Sequence, residues 1–151
     1  MSRLLIFPGQ GAQYGGMAKD LYENNDKAKA ILDKIFDLSN YDLKEIMFSE
    51  DDDRLNDTKY TQPALFAHSL AVVEATGITG DYLLGHSLGE LPALVHAGVV
   101  SLADGVRLVE KRGELMSQTE DGAMAAIIGM DYDALKETCE AASTDEESVA
   151  P

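Results

Sequence analysis

One cysteine, three histidines and no apolar run long enough to cross a bilayer set the first limits on this chain. The lone thiol, Cys139, excludes an internal disulfide and fits a reducing compartment. Met1-Ser2-Arg3 runs straight into Leu4-Leu5-Ile6-Phe7, too short for a secretion signal or a membrane span, so a cytoplasmic protein is expected. Cations are scarce. Against 27 Asp and Glu stand 12 Lys and Arg, and the net charge of −15 argues against nucleic acid and membrane surfaces as partners. The acidic run Ser49-Glu50-Asp51-Asp52-Asp53 lacks the alternating ligands of a calcium loop and reads as solvated surface, so no metal is expected. The 151 residues, 45% of them apolar, amount to one domain's worth of soluble chain.

What is present centres on Gly85-His86-Ser87-Leu88-Gly89-Glu90. The apolar run Tyr82-Leu83-Leu84 leads in, and a helix-like run from Leu88 to Ala97 leads out. Strand, sharp turn and helix are the setting in which G-x-S-x-G forms a nucleophile elbow. Glycines on either flank let neighbouring backbone come close and lift the serine clear. The first N–H groups of the following helix have no intrahelical partner and face incoming negative charge. The plain alternative is a glycine-rich turn with a chance serine. Pro92, inside the outgoing run, predicts a loose first turn or a slight kink.

The rest of the chain alternates strands with helical stretches, which predicts an α/β fold with a parallel sheet. Leu4 to Phe7 reads as a buried, central strand. The loop Gly9-Gln10-Gly11-Ala12-Gln13 lacks dinucleotide spacing; it is either an ordinary polar turn or a donor loop for an oxygen. Helices are expected over 17–24, 26–38 and 42–48, and a long one capped by Thr61, with Pro63 in its first turn, ending at Gly77. From Ser101 to Gln118, Leu102, Val106, Val109, Gly113 and Met116 form one stripe, with Arg107, Glu110, Lys111 and Glu114 on the polar side. Arg112 lies on the shoulder of the stripe, where an arginine either covers core with its stem or is aimed into a cleft; the pattern leaves both open. After a break at Asp121-Gly122, a strand is expected over 123–128 and a helix over 131–142.

A serine at an elbow needs a base and oxyanion donors. The Leu88 N–H and a group around Gln10 are available as donors. The base is the difficulty. His86 adjoins Ser87 on a sharp turn, where neighbours point apart, and His68 and His96 read as satisfied or surface histidines within helices. Either His96 does an unusual job or the base is not on this chain.

These stretches together resemble the N-terminal half of malonyl-CoA:acyl-carrier-protein transacylases and the related acyltransferase domains of polyketide synthases. The resemblance rests on Phe7-Pro8-Gly9-Gln10-Gly11-Ala12-Gln13, Thr61-Gln62-Pro63-Ala64-Leu65, the elbow, Ala97-Gly98-Val99, Arg107-Leu108-Val109 with Arg112-Gly113 and Met116, and Ala123 to Gly129. It implies an α/β-hydrolase-like core over 1–122 and the first strand and helix of a ferredoxin-like subdomain over 123–151. It implies Ser87 as the nucleophile, with Gln10 and Leu88 forming the oxyanion hole and Arg112 holding the malonyl carboxylate. His86 would sit beside the pocket and Gln62 near the acyl group. No cofactor is implied beyond the coenzyme A thioester, and acyl carrier protein is the second partner. The family's base histidine lies on a longer chain, so a missing C-terminal segment is implied as well. Two rivals stand beside this reading: a serine hydrolase or thioesterase, and a non-catalytic truncated fragment.

Overall fold

A computed structural model describes residues 2–119, 124–125 and 127–151, which fall into two units, Met1–Glu120 and Asp121–Pro151. In the first unit, strands β1 (Leu4–Phe7) and β2 (Tyr82–Gly85) pair in parallel, with Leu4 opposite Tyr82 and Phe7 opposite Gly85. This register puts Leu4, Ile6, Tyr82 and Leu84 on one face, and all four are exposed; Ile6 and Tyr82 each keep 65% of their surface. The expectation of a buried β1 is corrected here. A parallel sheet is buried only when layers cover both faces, and this two-stranded sheet has one bare face.

Between the strands run α1 (Lys19–Asn24), α2 (Asp26–Leu38), α3 (Leu43–Phe48) and α4 (Thr58–Thr76). After β2 come α5 (Glu90–His96) and α6 (Leu102–Ser117). The stripe read in α2 is real: Ala28, Leu32 and Ile35 are buried, and the Asn25 side chain caps the helix by accepting from the Lys27 and Ala28 N–H groups. Leu32, Ile46, Phe66, Leu88, Val106 and Val109 belong to one core gathered around α4. Full burial of each of the larger side chains stabilises by about 1.5–3 kcal/mol.

Helix α4 begins earlier than its sequence suggests. Asp57 is the cap, accepting from the Lys59 N–H, and Thr61 is interior. The Thr61 hydroxyl donates instead to the carbonyls of Leu55 (2.6 Å) and Asp57 (2.9 Å). Pro63 therefore lies inside the helix, where it cannot donate to the Lys59 carbonyl one turn back. Helix α6 crosses at this point. A side chain at Gly113 would bring its Cβ to 3.1 Å from both the Thr58 and Lys59 carbonyl oxygens, so glycine permits the approach.

Glu110 is also corrected, from solvent-facing to buried, with 4% of its surface exposed. Its carboxylate accepts from the Ser39 hydroxyl (2.6 Å), the Asn40 N–H (3.0 Å) and the Asn40 side-chain amide (2.7 Å). These bonds tie α6 to the end of α2.

In the second unit, α7 (Tyr132–Ala142) starts at Asp131, whose carboxylate accepts from the Asp133 and Ala134 N–H groups, and Cys139 is buried. Of the strand expected over 123–128, Ala123 and Ala126 lie outside the described residues, as does the break at Asp121-Gly122. Met124, Ala125, Ile127 and Ile128 are not in a strand, and Ile128 is 94% exposed. A strand exists only by pairing, and among the described residues these four have no ladder partner. Among the described residues, no helix is long and apolar enough to cross a membrane.

Candidate active site

The site is built where β2 turns into α5. Ser87 has φ 52°, a left-handed conformation that side chains other than glycine rarely adopt. Residues 87–89 then form one 3-10 turn before α5 begins at Glu90, the loose start that Pro92 predicts. The turn is pressed against the end of β1. The His86 N–H donates to the Phe7 carbonyl at 3.0 Å, and a Cβ at Gly89 would collide with the Phe7 carbonyl and lie 2.8 Å from that of Pro8. Leu88 anchors the turn with a buried side chain.

Arg112 reaches Ser87 from α6. Its Nη2 donates to Ser87 Oγ at 3.0 Å, and its Nη1 donates to Gln62 Oε1 at 2.6 Å. Gln62 is fully buried on α4, and its Nε2 faces Met116 Sδ at 3.1 Å. The orientation follows from chemistry: a guanidinium only donates, so it takes the amide oxygen and leaves the NH₂ for the thioether. Arg112 is half-buried, and among the described residues no Asp or Glu pairs with it. In a chain with 27 acidic residues, a cation without an acidic partner beside an exposed hydroxyl is complementary to an incoming anion. The guanidinium is directed at the serine.

The remaining expected residues are placed less directly. The Gln10 side chain donates to Thr58 Oγ1 at 3.0 Å, so its amide is committed to the start of α4. The His86 ring lies against Gly9, where a Cβ would come within 2.6 Å of His86 Nδ1. His96 packs near Phe7 with ring centroids 6.1 Å apart. His68 meets Tyr14 edge-on at 5.9 Å, and burial lowers its pKa below the usual histidine value, partly opposed by Asp20. Among the described residues no histidine hydrogen-bonds Ser87; the serine's hydroxyl is held by Arg112 alone. Sequence reasoning did not assign a site role to Met116 or Thr58. Met116 was legible as a member of the apolar stripe of α6 and of the matching stretch, one turn beyond Arg112. A cleft of about 350 Å³ runs along β2 and α5, lined by Leu83, Gly85, Glu90, Ala93, Leu94 and Ala97. Neither Ser87 nor Arg112 lines it, and the polar machinery lies elsewhere.

Comparison with known proteins covers nearly the whole chain. The acyl transferase domain model matches residues 4–150. A malonyl CoA-acyl carrier protein transacylase of Staphylococcus aureus is 45% identical over 151 residues, covering 97% of this chain and 49% of that protein. The chain thus spans about half the length of the curated relatives it matches. The crystal structure of an acyl carrier protein S-malonyltransferase from Vibrio cholerae superposes with a TM-score of 0.85 at 39% identity, over 96% of this chain and 50% of that one. A type II polyketide malonyl-transacylase solved in complex with its acyl-carrier protein superposes with a TM-score of 0.81 at 36% identity, over 93% of this chain and 48% of that one.

Proposed function

Since the chain belongs to the acyl transferase domain family, we propose that it forms the nucleophile-bearing half of an enzyme that moves a malonyl group from coenzyme A to acyl carrier protein. In the first step Ser87 Oγ attacks the thioester carbonyl. The hydroxyl proton passes to a base, the C–S bond breaks, and coenzyme A leaves as its thiol, with the malonyl group held as a Ser87 ester. In the second step the phosphopantetheine thiol of the carrier protein attacks that ester and Ser87 recovers its proton. The N–H groups of Leu88 and Gln10 stabilise the oxyanion in both steps. Arg112 pairs with the free carboxylate, for which a planar guanidinium is suited. Gln62 fixes Arg112, and His86 and Gly9 shape the wall. The reaction draws on the thioester's own activation and calls on no metal or prosthetic group.

The observation that carries this reading is the 3.0 Å contact between Arg112 Nη2 and Ser87 Oγ, made by a cation with no acidic partner among the described residues. A malonyl group has its carboxylate one methylene from the reacting carbonyl, so cation and nucleophile must be close neighbours. Water, the acceptor of a hydrolase, needs no such cation. The base is proposed to be a histidine in the half of the relatives' length that this chain does not span. The core is read as α/β-hydrolase-like, and 123–151 as the start of a ferredoxin-like subdomain, in a cytoplasmic enzyme. The test is intact-mass measurement of a polypeptide of the relatives' full length after incubation with malonyl-CoA. A malonyl adduct that is lost in Ser87→Ala and discharged by carrier protein is expected. Discharge to water at the same rate with and without carrier protein would sink the transferase reading in favour of a hydrolase.

A further inference from the structure

The cation that is to hold the substrate carboxylate is not free. Arg112 spends Nη2 on the nucleophile itself and Nη1 on Gln62, and the Gln62 amide is held in turn by Met116. A hydroxyl that accepts from a guanidinium holds that bond less well once its oxygen becomes an ester oxygen, which is a poorer acceptor. Nη2 carries a second N–H, but a malonyl carboxylate lies one methylene from the carbonyl that Ser87 attacks, so it reaches the guanidinium on the Ser87 side and crowds the donor that Oγ now holds. Binding of the carboxylate and capping of the serine therefore compete for one donor.

We propose that Arg112 is a guard as well as a clamp: in the unliganded protein it caps Ser87, and a substrate carboxylate uncaps the serine by drawing the guanidinium away. This rests on the acyl-transfer reading above and adds to it a reason for substrate choice. A charged pair is stronger than a charge-to-hydroxyl bond, so a carboxylated acyl group wins the competition. An acyl group without a carboxylate leaves the cap in place and meets a serine that is still occupied. Gln62 keeps the guanidinium on a short tether, because one of its two terminal nitrogens stays bonded throughout the exchange. The change needed is a swing about the last side-chain torsions of Arg112, with no movement of α6.

Competition of this kind is reciprocal, so it can be read without catalysis. If carboxylate binding must break the Arg112–Ser87 bond, removing the hydroxyl must tighten carboxylate binding. The probe is monomethyl malonate, which carries the carboxylate and lacks the thioester, with affinity measured by calorimetry on a polypeptide of the relatives' full length. Loss of one hydrogen bond to a charged group predicts that Ser87→Ala binds the probe about tenfold tighter than the unsubstituted protein. Ser87→Gly, which also suits the left-handed backbone, should do the same and guards against a folding defect in the first variant. Arg112→Met, which keeps the apolar stem, should abolish binding in every background. Equal or weaker binding by both Ser87 variants, or no detectable binding to any protein, overturns the guard. Malonyl-CoA labelling of Ser87 is run in parallel: its absence would sink the transfer reading, while the affinity comparison still decides this one.

Discussion

Replacing Gln62 by leucine tests how much of the site depends on one buried amide. Leucine is close to glutamine in volume, so the fully buried position on α4 is refilled without a cavity. What is lost is the 2.6 Å bond from Arg112 Nη1 and the contact with Met116 Sδ. A bond to a charged group contributes about 1.5–3 kcal/mol. Arg112 is half-buried, so water restores part of this, and relief of the buried amide's desolvation offsets a little more. The thioether is a weak acceptor and Met116 is 41% exposed, so its loss costs little. The expected destabilisation is about 1 kcal/mol, read from the urea midpoint at unchanged slope. The functional effect should be larger in KM than in kcat. An untethered Arg112 samples other rotamers, and KM for malonyl-CoA in a full-length protein should rise about tenfold while acylation at saturation changes little. A stability loss above about 4 kcal/mol would mean that packing had failed. A kcat that fell while KM held would show that Gln62 acts on the reacting carbonyl, and the tether argument would be refuted.

Arg112→Ala should lower kcat/KM for malonyl-CoA by two orders of magnitude, on the order of the loss of a charge-assisted pair, while sparing or raising that for acetyl-CoA; an equal fall for both substrates would contradict the clamp. Glu110→Ala strands three donors, of which those on exposed Asn40 can turn to water, so a loss of about 2–3 kcal/mol is expected in chemical denaturation. His68 has its pKa lowered by burial, so the folded state resists protonation; its contribution to stability is present above the unfolded value near 6.5 and is lost as pH falls through the lower folded value. Stability measured from pH 7.5 to 5 should therefore fall less steeply in His68→Leu than in the parent chain. Finally, the 151-residue chain by itself should show no measurable transfer to carrier protein in a gel-shift assay, because positioned proton transfer is worth about 10²–10⁴-fold and no histidine reaches Ser87 among the described residues; rapid turnover would direct attention to His96.

The parts of this molecule that were legible are those whose signal is local. The bounds of α2 follow from its apolar stripe, and the elbow follows from two glycines spaced around a serine between a strand and a helix. The start of α4 was misread because Thr61 followed by Pro63 imitates a helix N-terminus, while Asp57, an equally good cap, stands four residues earlier. Nothing local shows that a proline can sit inside a helix; that depends on what packs over the carbonyl it leaves free. Glu110 looked solvent-facing because its partners, Ser39 and Asn40, lie 71 and 70 residues away in sequence. Burial of β1 failed for a related reason, since it is a property of the layers around a strand. The Gln10 side chain could be placed near an oxygen but not assigned to the hydroxyl of Thr58. For Arg112, helical periodicity gives the angle around α6 and not what stands opposite, so an arginine aimed into a cleft and one covering core look alike until α4 and the elbow are in place.

The crossing of α6 over the proline-broken turn of α4 has a consequence for how selectivity can change. Backbone faces backbone at Gly113, the residue that follows Arg112, so α6 cannot slide along α4 without driving a side chain into the Thr58 and Lys59 carbonyls. The glycine works as a registration mark: it fixes the origin from which the arginine measures its reach to the serine. An ångström of drift there would be felt in full at the Ser87 hydroxyl, because the guanidinium hangs from the adjacent position. Under the proposed acyl-transfer role, acyl preference is therefore expected to change by exchanging side chains at 62, 112 and 116, whereas shifts of the helix itself are closed off.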